Sequence, residues 1–128
     1  MSLDIRILPT GLNGNRRVLL GGRLDTHTYE QLDTALAPLL TPALQSLVLD
    51  LAELEYISSA GIRSIFKARK ALAGHGGKVL VAHPQPQIQK VLDVVKAVPV
   101  HEIFTSAAEL DAYLDAMQRK VLRGDEED

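Results

Sequence analysis

The alternation of apolar and polar residues predicts that the chain opens with a β-hairpin. Residues 3–7 read Leu-Asp-Ile-Arg-Ile, the period-two pattern of a strand with one face in water. The Asn-Gly pair at 13–14 favours a turn, and the apolar run at 18–20 supplies the second strand. The glycine pair at 21–22 then indicates the end of that strand.

Later segments have the apolar spacing of amphipathic helices. They lie at residues 29–40, 62–72, 88–95 and 110–117. Thr28 with Gln31, and Ser106 with Glu109, have the spacing of capping boxes, in which two side chains bind unpaired amides at a helix start.

Short apolar runs between the helices are typical of buried strands. Residues 47–51 contain one charge, Asp50, and predict a central strand covered on both faces, followed by a loop through Glu53 and Glu55. Residues 78–82 predict another buried strand, and residues 100–103 predict a brief one.

The order of these elements predicts a single α/β domain. The hairpin supplies an antiparallel pair and the helical crossovers supply parallel ones. We therefore expect a mixed four- to five-stranded sheet, with about four helices packed largely on one side. We expect the domain to span residues 1–118 and the polar segment 119–128 to be a disordered tail.

Composition and charge argue against several classes of function. The 128 residues contain 14 Lys and Arg against 16 Asp and Glu, a net charge of −2 that gives no basic footprint for nucleic acid. The absence of cysteine excludes disulfides and thiolate chemistry. The four histidines lack metal-ligand spacing, and no phosphate-binding loop or membrane-length apolar run occurs. We expect a cytoplasmic protein without a metal, a cofactor, a nucleic-acid partner or direct membrane insertion.

The segment with the most chemical information is the junction at residues 57–63, which reads Ile-Ser-Ser-Ala-Gly-Ile-Arg. It places the hydroxyls of Ser58 and Ser59 where a helix begins, and unpaired amides and the helix dipole make such a place electropositive. We expect the Ser59 side chain to project into solvent, where a phosphate would be stabilised. In the alternative interpretation, one serine is only the N-cap of the helix.

Charged residues near this junction admit two interpretations. Arg63, Lys67 and Lys70 are four and three positions apart, a spacing that places them on one outer face of the helix. Such a stripe is either a docking surface or a face that is merely solvated. Asp25, which precedes Thr26 at the start of the first helix, is likewise either a helix cap or a recognition group.

Several stretches carry short motifs that occur together in one protein family. Residues 22–25 read Gly-Arg-Leu-Asp, residues 47–51 read Leu-Val-Leu-Asp-Leu, and residues 56–61 read Tyr-Ile-Ser-Ser-Ala-Gly. They resemble the G-x-L-D stretch, the central strand and the I-D-S-[S/T]-G motif of the STAS domain in bacterial anti-sigma factor antagonists. Residues 100–104 and the helix after them also resemble that family, so the likeness covers about residues 3–118.

The resemblance implies a site of phosphorylation. In that family a partner kinase phosphorylates the serine after the motif's aspartate, and aligning Gly61 with the motif glycine places that serine at Ser59. Ser59 is therefore the expected phosphoacceptor, with Ser58 as the fallback acceptor. Ser58 stands where the aspartate is usual, and Ala60 stands where a second hydroxyl is usual.

The resemblance also implies partners. We expect an anti-sigma factor that is itself a serine kinase to dock on the unphosphorylated chain and to be released when Ser59 is phosphorylated, which would transmit a signal to transcription. A phosphoserine phosphatase would reset the switch. The expected partner-binding residues are Asp25, Thr26, Ser58, Ala60, Gly61, Arg63, Lys67 and Lys70.

Two other functions remain as hypotheses. The departures at positions 58 and 60 favour a non-switching STAS scaffold, or an accessory subunit of a transporter or of a stress-signalling assembly. A serine hydrolase has the weakest support, because Ile57 occupies a position where the nucleophile elbow requires glycine. We expect no catalytic residues and no enzymatic activity.

Overall fold

The computed structural model describes residues 2–9, 14–98 and 103–124. The strands are β1 (Leu3–Ile7), β2 (Asn15–Leu24), β3 (Ser46–Ile57) and β4 (Lys78–Ala82). The helices are α1 (Tyr29–Leu36), which continues into a 3-10 turn at Ala37–Leu39, α2 (Ser59–Ala73), α3 (Pro86–Ala97) and α4 (Ala107–Arg123).

The strands form one mixed sheet in the order β1-β2-β3-β4. β1 pairs antiparallel with β2, whereas β2 with β3 and β3 with β4 are parallel pairs. The antiparallel pair and the parallel crossovers are therefore confirmed, whereas Asn13 of the predicted turn lies outside the described residues. The longest strand, β3, lies inside the sheet with a parallel neighbour on each side.

The predicted strand break at the glycine pair is wrong, because β2 continues past it. The register between β2 and β3 shifts at two points, one before Gly21 and one after Gly22. Gly22 has a φ of +87°, and a Cβ at this position would overlap the carbonyl oxygen of Ser2. The glycines thus allow an irregularity inside the strand, in a conformation that other residues rarely adopt.

One face of the sheet carries the hydrophobic core. Leu47, Leu49 and Leu51 of β3 are buried and belong to a cluster with apolar residues of all four helices, which supports the prediction that the helices lie largely on one side. The intervening Val48 and Asp50 are partly exposed on the opposite face. The expectation that this strand is covered on both faces is therefore wrong.

Two further strand predictions need correction. β3 runs through Glu53 and Glu55, where a loop was expected, and Glu53 pairs with Gly21 of β2. β4 is confirmed in its bounds but is not a buried strand, since Leu80 is 48% exposed. Within the described residues β4 pairs with β3 alone, so it forms an edge of the sheet.

An ion pair lies on the face of the sheet opposite the core. The Arg17 guanidinium donates to the Asp50 carboxylate at 2.7 Å, and the Ala52 amide donates to the same carboxylate at 3.1 Å. Burial raises the pKa of Asp50, but these hydrogen bonds and the positive charge of Arg17 outweigh it, and the pKa lies below its usual value. The pair links β2 to β3.

The helix starts use contacts that differ from the predicted capping boxes. The Thr28 hydroxyl donates to a backbone carbonyl of the preceding segment and makes no cap with Gln31, so that capping box is wrong. The Ser106 hydroxyl accepts the Glu109 N–H at 3.1 Å, which confirms half of the second box. The Glu109 carboxylate accepts instead from the Thr105 amide, at 3.1 Å.

α4 is longer than predicted. It continues through residues 119–123 and ends before Gly124, whose φ of +77° gives a left-handed cap. The expectation of a disordered tail is therefore wrong for residues 119–123. Residues 125–128 of that tail, and residues 100–102 of the predicted brief strand, lie outside the described residues. In the described part of the chain, no helix is both long enough and apolar enough to cross a membrane.

Gln118 fixes α4 to the end of β3. Its buried side chain accepts the Ile57 N–H at 3.1 Å and donates to the Ile57 carbonyl at 2.9 Å. The same amide also donates to the Leu114 carbonyl at 3.2 Å. Since buried backbone groups require partners, this contact determines where α4 lies over the sheet.

Replacement of Gln118 tests this contact. Gln118→Ala should lower the free energy of unfolding by about 2–4 kcal/mol, because both backbone groups of Ile57 lose a partner and a cavity forms. Gln31→Ala, at an exposed position of α1, should change it by less than about 0.5 kcal/mol. Urea denaturation followed by circular dichroism measures both, and equal stabilities would contradict the structural role of Gln118.

Candidate functional site

The candidate site lies where β3 meets α2. β3 ends at Ile57 and α2 begins at Ser59, so the predicted loop consists of Ser58 alone. The Ser58 N–H donates to the Leu24 carbonyl at 2.9 Å and holds the junction against the end of β2. The site is therefore built on a strand end and a helix start, with little backbone freedom between them.

Ser59 is enclosed by α4. The residue is only 3% exposed, its N–H donates to one oxygen of the Asp111 carboxylate at 2.7 Å, and its hydroxyl donates to the other at 3.1 Å. The expectation that this side chain projects into solvent is therefore wrong. The physical reason is that the positive start of α2 attracts a carboxylate, and α4 supplies one.

Ser58 is buried as well, at 4% exposure. It occupies the N-cap position of α2 but makes no side-chain cap, and its hydroxyl has no hydrogen-bond partner among the described residues. Ser58 therefore has the position of the N-cap without its side-chain hydrogen bond, and the Asp111 carboxylate of α4 accepts the Ser59 N–H.

The two residues after Ser59 are packed against the core. Ala60 is 1% exposed, and a Cβ on Gly61 would lie 2.6 Å from Cγ of Leu24. Gly61 thus lets the first turn of α2 approach the end of β2 closely. Ser58, Ala60 and Gly61 are buried in this conformation, and their role as partner-binding residues stays a prediction.

The basic stripe on α2 is placed as predicted. Arg63, Lys67 and Lys70 are exposed on the outer face of the helix, whereas Ile65 is buried in the core. The Lys67 ammonium lies 3.7 Å from the Asp33 carboxylate of α1, an exposed ion pair of the kind that contributes little to stability. The stripe starts one turn after Ser59.

A cavity of about 250 Å³ opens between the starts of α2 and α4. Ser59 and Arg63 line its α2 side, and the segment from Phe104 to Leu110 lines the other. Phe104 packs against Tyr113 with ring centroids 5.2 Å apart, which holds the segment before α4 on that helix. The cavity gives the region of Ser59 an opening toward the surface.

Asp25 is connected to the same region. Its carboxylate accepts the His27 N–H at 2.9 Å and lies 3.5 Å from the Arg23 guanidinium. Arg23 in turn stacks over the ring of Tyr56 at 3.9 Å. These contacts give Asp25 a structural role, and its role in recognition, like that of the exposed Thr26, stays a prediction.

Tyr56 links this cluster to α4. The charges of the Asp115 and Asp111 carboxylates on that helix act on its phenol. Burial, followed by the negative charges of Asp115 and Asp111, raises the pKa of Tyr56, and the Arg23 guanidinium offsets part of the rise. Burial and the acidic face of α4 therefore both disfavour loss of the phenol proton.

Asp111, Asp115 and Gln118 take part in the site although no motif marks them. They are four and three positions apart, so they share one face of α4. Each follows an apolar position of the same helix by one residue, which places this polar face beside the buried stripe. Such a polar row along an apolar stripe is a usable signal, but it does not say which element the row meets.

The chemistry available here is that of a hydroxyl group near a carboxylate and a guanidinium. Asp111 accepts the hydrogen bond of the Ser59 hydroxyl, and Arg63 lines the same cavity. Within residues 2–9, 14–98 and 103–124, no three His, Cys, Asp or Glu side chains form a group that could hold a metal ion.

A family model agrees with this fold and with the motifs at the junction. The model of the STAS domain matches residues 10–110, and the chain belongs to the STAS domain family. The resemblance stated from the sequence is therefore confirmed.

Individual relatives narrow the comparison. The chain is 30% identical over 83 residues to the putative anti-sigma factor antagonist BtrV of Bordetella bronchiseptica. The aligned residues cover 65% of this chain and 72% of BtrV. An anti-sigma factor antagonist structure from Mycobacterium paratuberculosis has a TM-score of 0.58 and 21% identity, covering 90% of this chain and 95% of that one. SpoIIAA of Bacillus in its phosphorylated form has a TM-score of 0.61 and 18% identity, covering 75% and 86% respectively.

The close approach at Gly61 is testable. Gly61→Ala should lower the free energy of unfolding by about 1–3 kcal/mol, although alanine favours helices, because the new methyl group overlaps Leu24. Gly74→Ala, at the end of the same helix, places its Cβ 3.6 Å from the nearest atom and should change stability by less than about 0.5 kcal/mol. Thermal and urea unfolding measure both variants, and a stable Gly61→Ala protein would show that the packing is looser than described.

Proposed function

We propose that this chain is an anti-sigma factor antagonist whose binding is controlled by phosphorylation of Ser59. Membership of the STAS family and the likeness to BtrV support the general role. The observation that carries the switch is the position of Ser59 at the start of α2, one turn before Arg63 and in the cavity that both residues line. In this proposal the protein acts in the cytoplasm and transmits a signal to transcription.

The docking surface in this proposal is the exposed side of α2. Arg63, Lys67 and Lys70 give it positive charge, so the matching surface of the anti-sigma factor is acidic. The exposed ion pair of Lys67 with Asp33 is weak enough to be exchanged for a partner's carboxylate. In this proposal Ser58, Ala60 and Gly61 are buried beneath the docking surface and act on the partner by positioning the start of α2.

The anti-sigma factor in this proposal is also a serine kinase. It transfers the γ-phosphoryl group of ATP to Ser59: the O–H bond of the hydroxyl breaks, a bond from Oγ to phosphorus forms, ADP leaves and the proton is released to solvent. A phosphoserine phosphatase hydrolyses the ester and restores the hydroxyl. Because Ser59 is buried, the kinase acts on a conformation in which the contact with Asp111 has opened.

The charge change is large enough to act as a switch. A phosphoserine carries about −1.5 to −2 charges at pH 7. Moving a complex from 99% bound to 99% free requires a difference in binding free energy of about 5.5 kcal/mol. Desolvation, together with repulsion from the acidic surface of the partner, supplies several kcal/mol at a docked interface.

Phosphate mapping tests the acceptor. With ATP and the cognate kinase, the native chain and Ser58→Ala should each gain one phosphate on Ser59, and Ser59→Ala should gain none. Intact mass and peptide mass spectrometry read the result. Phosphate on Ser58, or at a position outside this junction, would contradict the proposed mechanism.

Charge reversal on α2 tests the docking surface. Arg63→Glu should weaken binding of the unphosphorylated chain to the anti-sigma factor by about tenfold or more, because it sets like charges against each other at the interface. Lys78→Glu is the matched control, since Lys78 is an exposed cation beyond the opposite end of α2. Titration calorimetry measures both affinities, and equal losses would place the interface elsewhere.

A non-switching scaffold is the second candidate, and the burial of Ser59 is the observation that favours it. In that role the chain would be an accessory subunit of a transporter or of a stress-signalling assembly, with Ser59 serving only to bind Asp111. Binding that is unchanged in Ser59→Asp would favour this candidate. Loss of binding in Ser59→Asp, with full binding retained in Ser59→Ala, would favour the switch.

A further inference from the structure

We propose that Asp111 senses phosphate on Ser59, and that repulsion between the two groups releases the start of α4. This inference rests on the proposed function, because it concerns the regulation of the same serine. It makes Asp111 a positioning residue that reports the state of Ser59 to another helix.

The contact between the two residues depends on the hydroxyl proton. Both donors of unmodified Ser59, the N–H and the O–H, bind the two oxygens of the Asp111 carboxylate. The ester oxygen Oγ of phosphoserine has no proton to donate, and the phosphate group brings negative charge toward the same carboxylate. Since Ser59 is almost fully buried, solvent screens this repulsion poorly. The modification therefore turns an attractive contact into a repulsive one.

α4 is held unevenly along its length. Leu114 and Gln118 are buried, and Gln118 binds both backbone groups of Ile57. At the start of the helix Leu110 is buried, whereas residues 105–109 are exposed. Regions with few buried contacts open at low free energy. The start of α4 is therefore held by fewer buried contacts than the rest of the helix.

Arg63 offers the phosphate a replacement for Asp111. Its side chain lines the cavity that also contains Ser59, and a guanidinium forms strong charge-assisted hydrogen bonds to phosphate. The N–H of Ser59, which is no longer bound to Asp111, becomes a second donor to the phosphate. The segment that moves away lines the cavity and includes Phe104. Phosphorylation therefore changes the shape of the surface beside α2 as well as its charge.

Hydrogen exchange tests the inference without a kinase. Phosphoserine is introduced at position 59 during synthesis of the full chain, in the native background and in Asp111→Asn. In the native background, phosphoserine should raise the exchange rate of amides 110–114 by about tenfold or more relative to serine, which corresponds to about 1.4 kcal/mol. Amides 118–121, beyond the Gln118 contact, should change by less than about twofold.

In the Asp111→Asn background, phosphoserine should raise the exchange rate of amides 110–114 by less than about threefold, because asparagine carries no charge and its amide donates to phosphate. Asp115→Asn is the matched control on the same helix, because Asp115 pairs with Arg119 at 2.9 Å and not with Ser59. In this variant, phosphoserine should still raise the exchange rate of amides 110–114 about tenfold. Unchanged exchange at amides 110–114 in the native background, or an equal response in Asp111→Asn, would overturn the inference.

These outcomes separate the inference from the proposed function. If phosphoserine introduced in synthesis opens α4 but no kinase modifies Ser59, the coupling through Asp111 stands and the proposed function fails. If a kinase modifies Ser59 and releases the partner while amides 110–114 keep their protection, the proposed function stands and the inference fails.

Discussion

The hydrogen bonds that α4 makes to the junction between β3 and α2 are the contacts on which the site depends. Gln118 satisfies the N–H and carbonyl of Ile57, and Asp111 satisfies both donors of Ser59. A carboxylate at the positive end of α2 also stabilises that helix. The junction is therefore formed by three elements, β3, α2 and α4, and each of them contributes to the surroundings of Ser59. A site at the start of one helix is thus held in place by a helix much later in the chain.

Hydrophobic periodicity predicts most of this fold, because the core lies on one face of a sheet. The alternation at residues 3–7 and the run at 78–82 coincide with β1 and β4. The pattern fails where the sheet is irregular. Gly22 holds a positive φ inside β2, and Glu53 pairs across the shifted register, so glycine and charge at these positions mark a continuing strand rather than its end. A one-dimensional pattern does not distinguish the two cases.

The site is predicted in position but not in exposure. The motif places Ser59 correctly at the start of α2, since local residues decide where a strand ends and a helix begins. Its side chain is buried and binds Asp111, 52 positions later, and nothing near residue 59 encodes that contact. The basic stripe is predicted correctly because helical geometry alone determines which face Arg63 and Lys67 share. Helical spacing thus predicts the exposed part of the site, whereas the buried part around Ser59 depends on tertiary contacts that the local sequence does not show.

The distance along the chain between Ser59 and Asp111 has a consequence for the newly made protein. Ribosomes add about 5–20 residues per second, so Ser59 leaves the ribosome roughly 3 to 10 s before Asp111, whose carboxylate accepts its hydrogen bonds. During that interval the hydroxyl has no carboxylate to bind and α2 lacks its cap. In the nascent chain the Ser59 hydroxyl is therefore briefly more accessible than in the folded protein, where it is buried against α4.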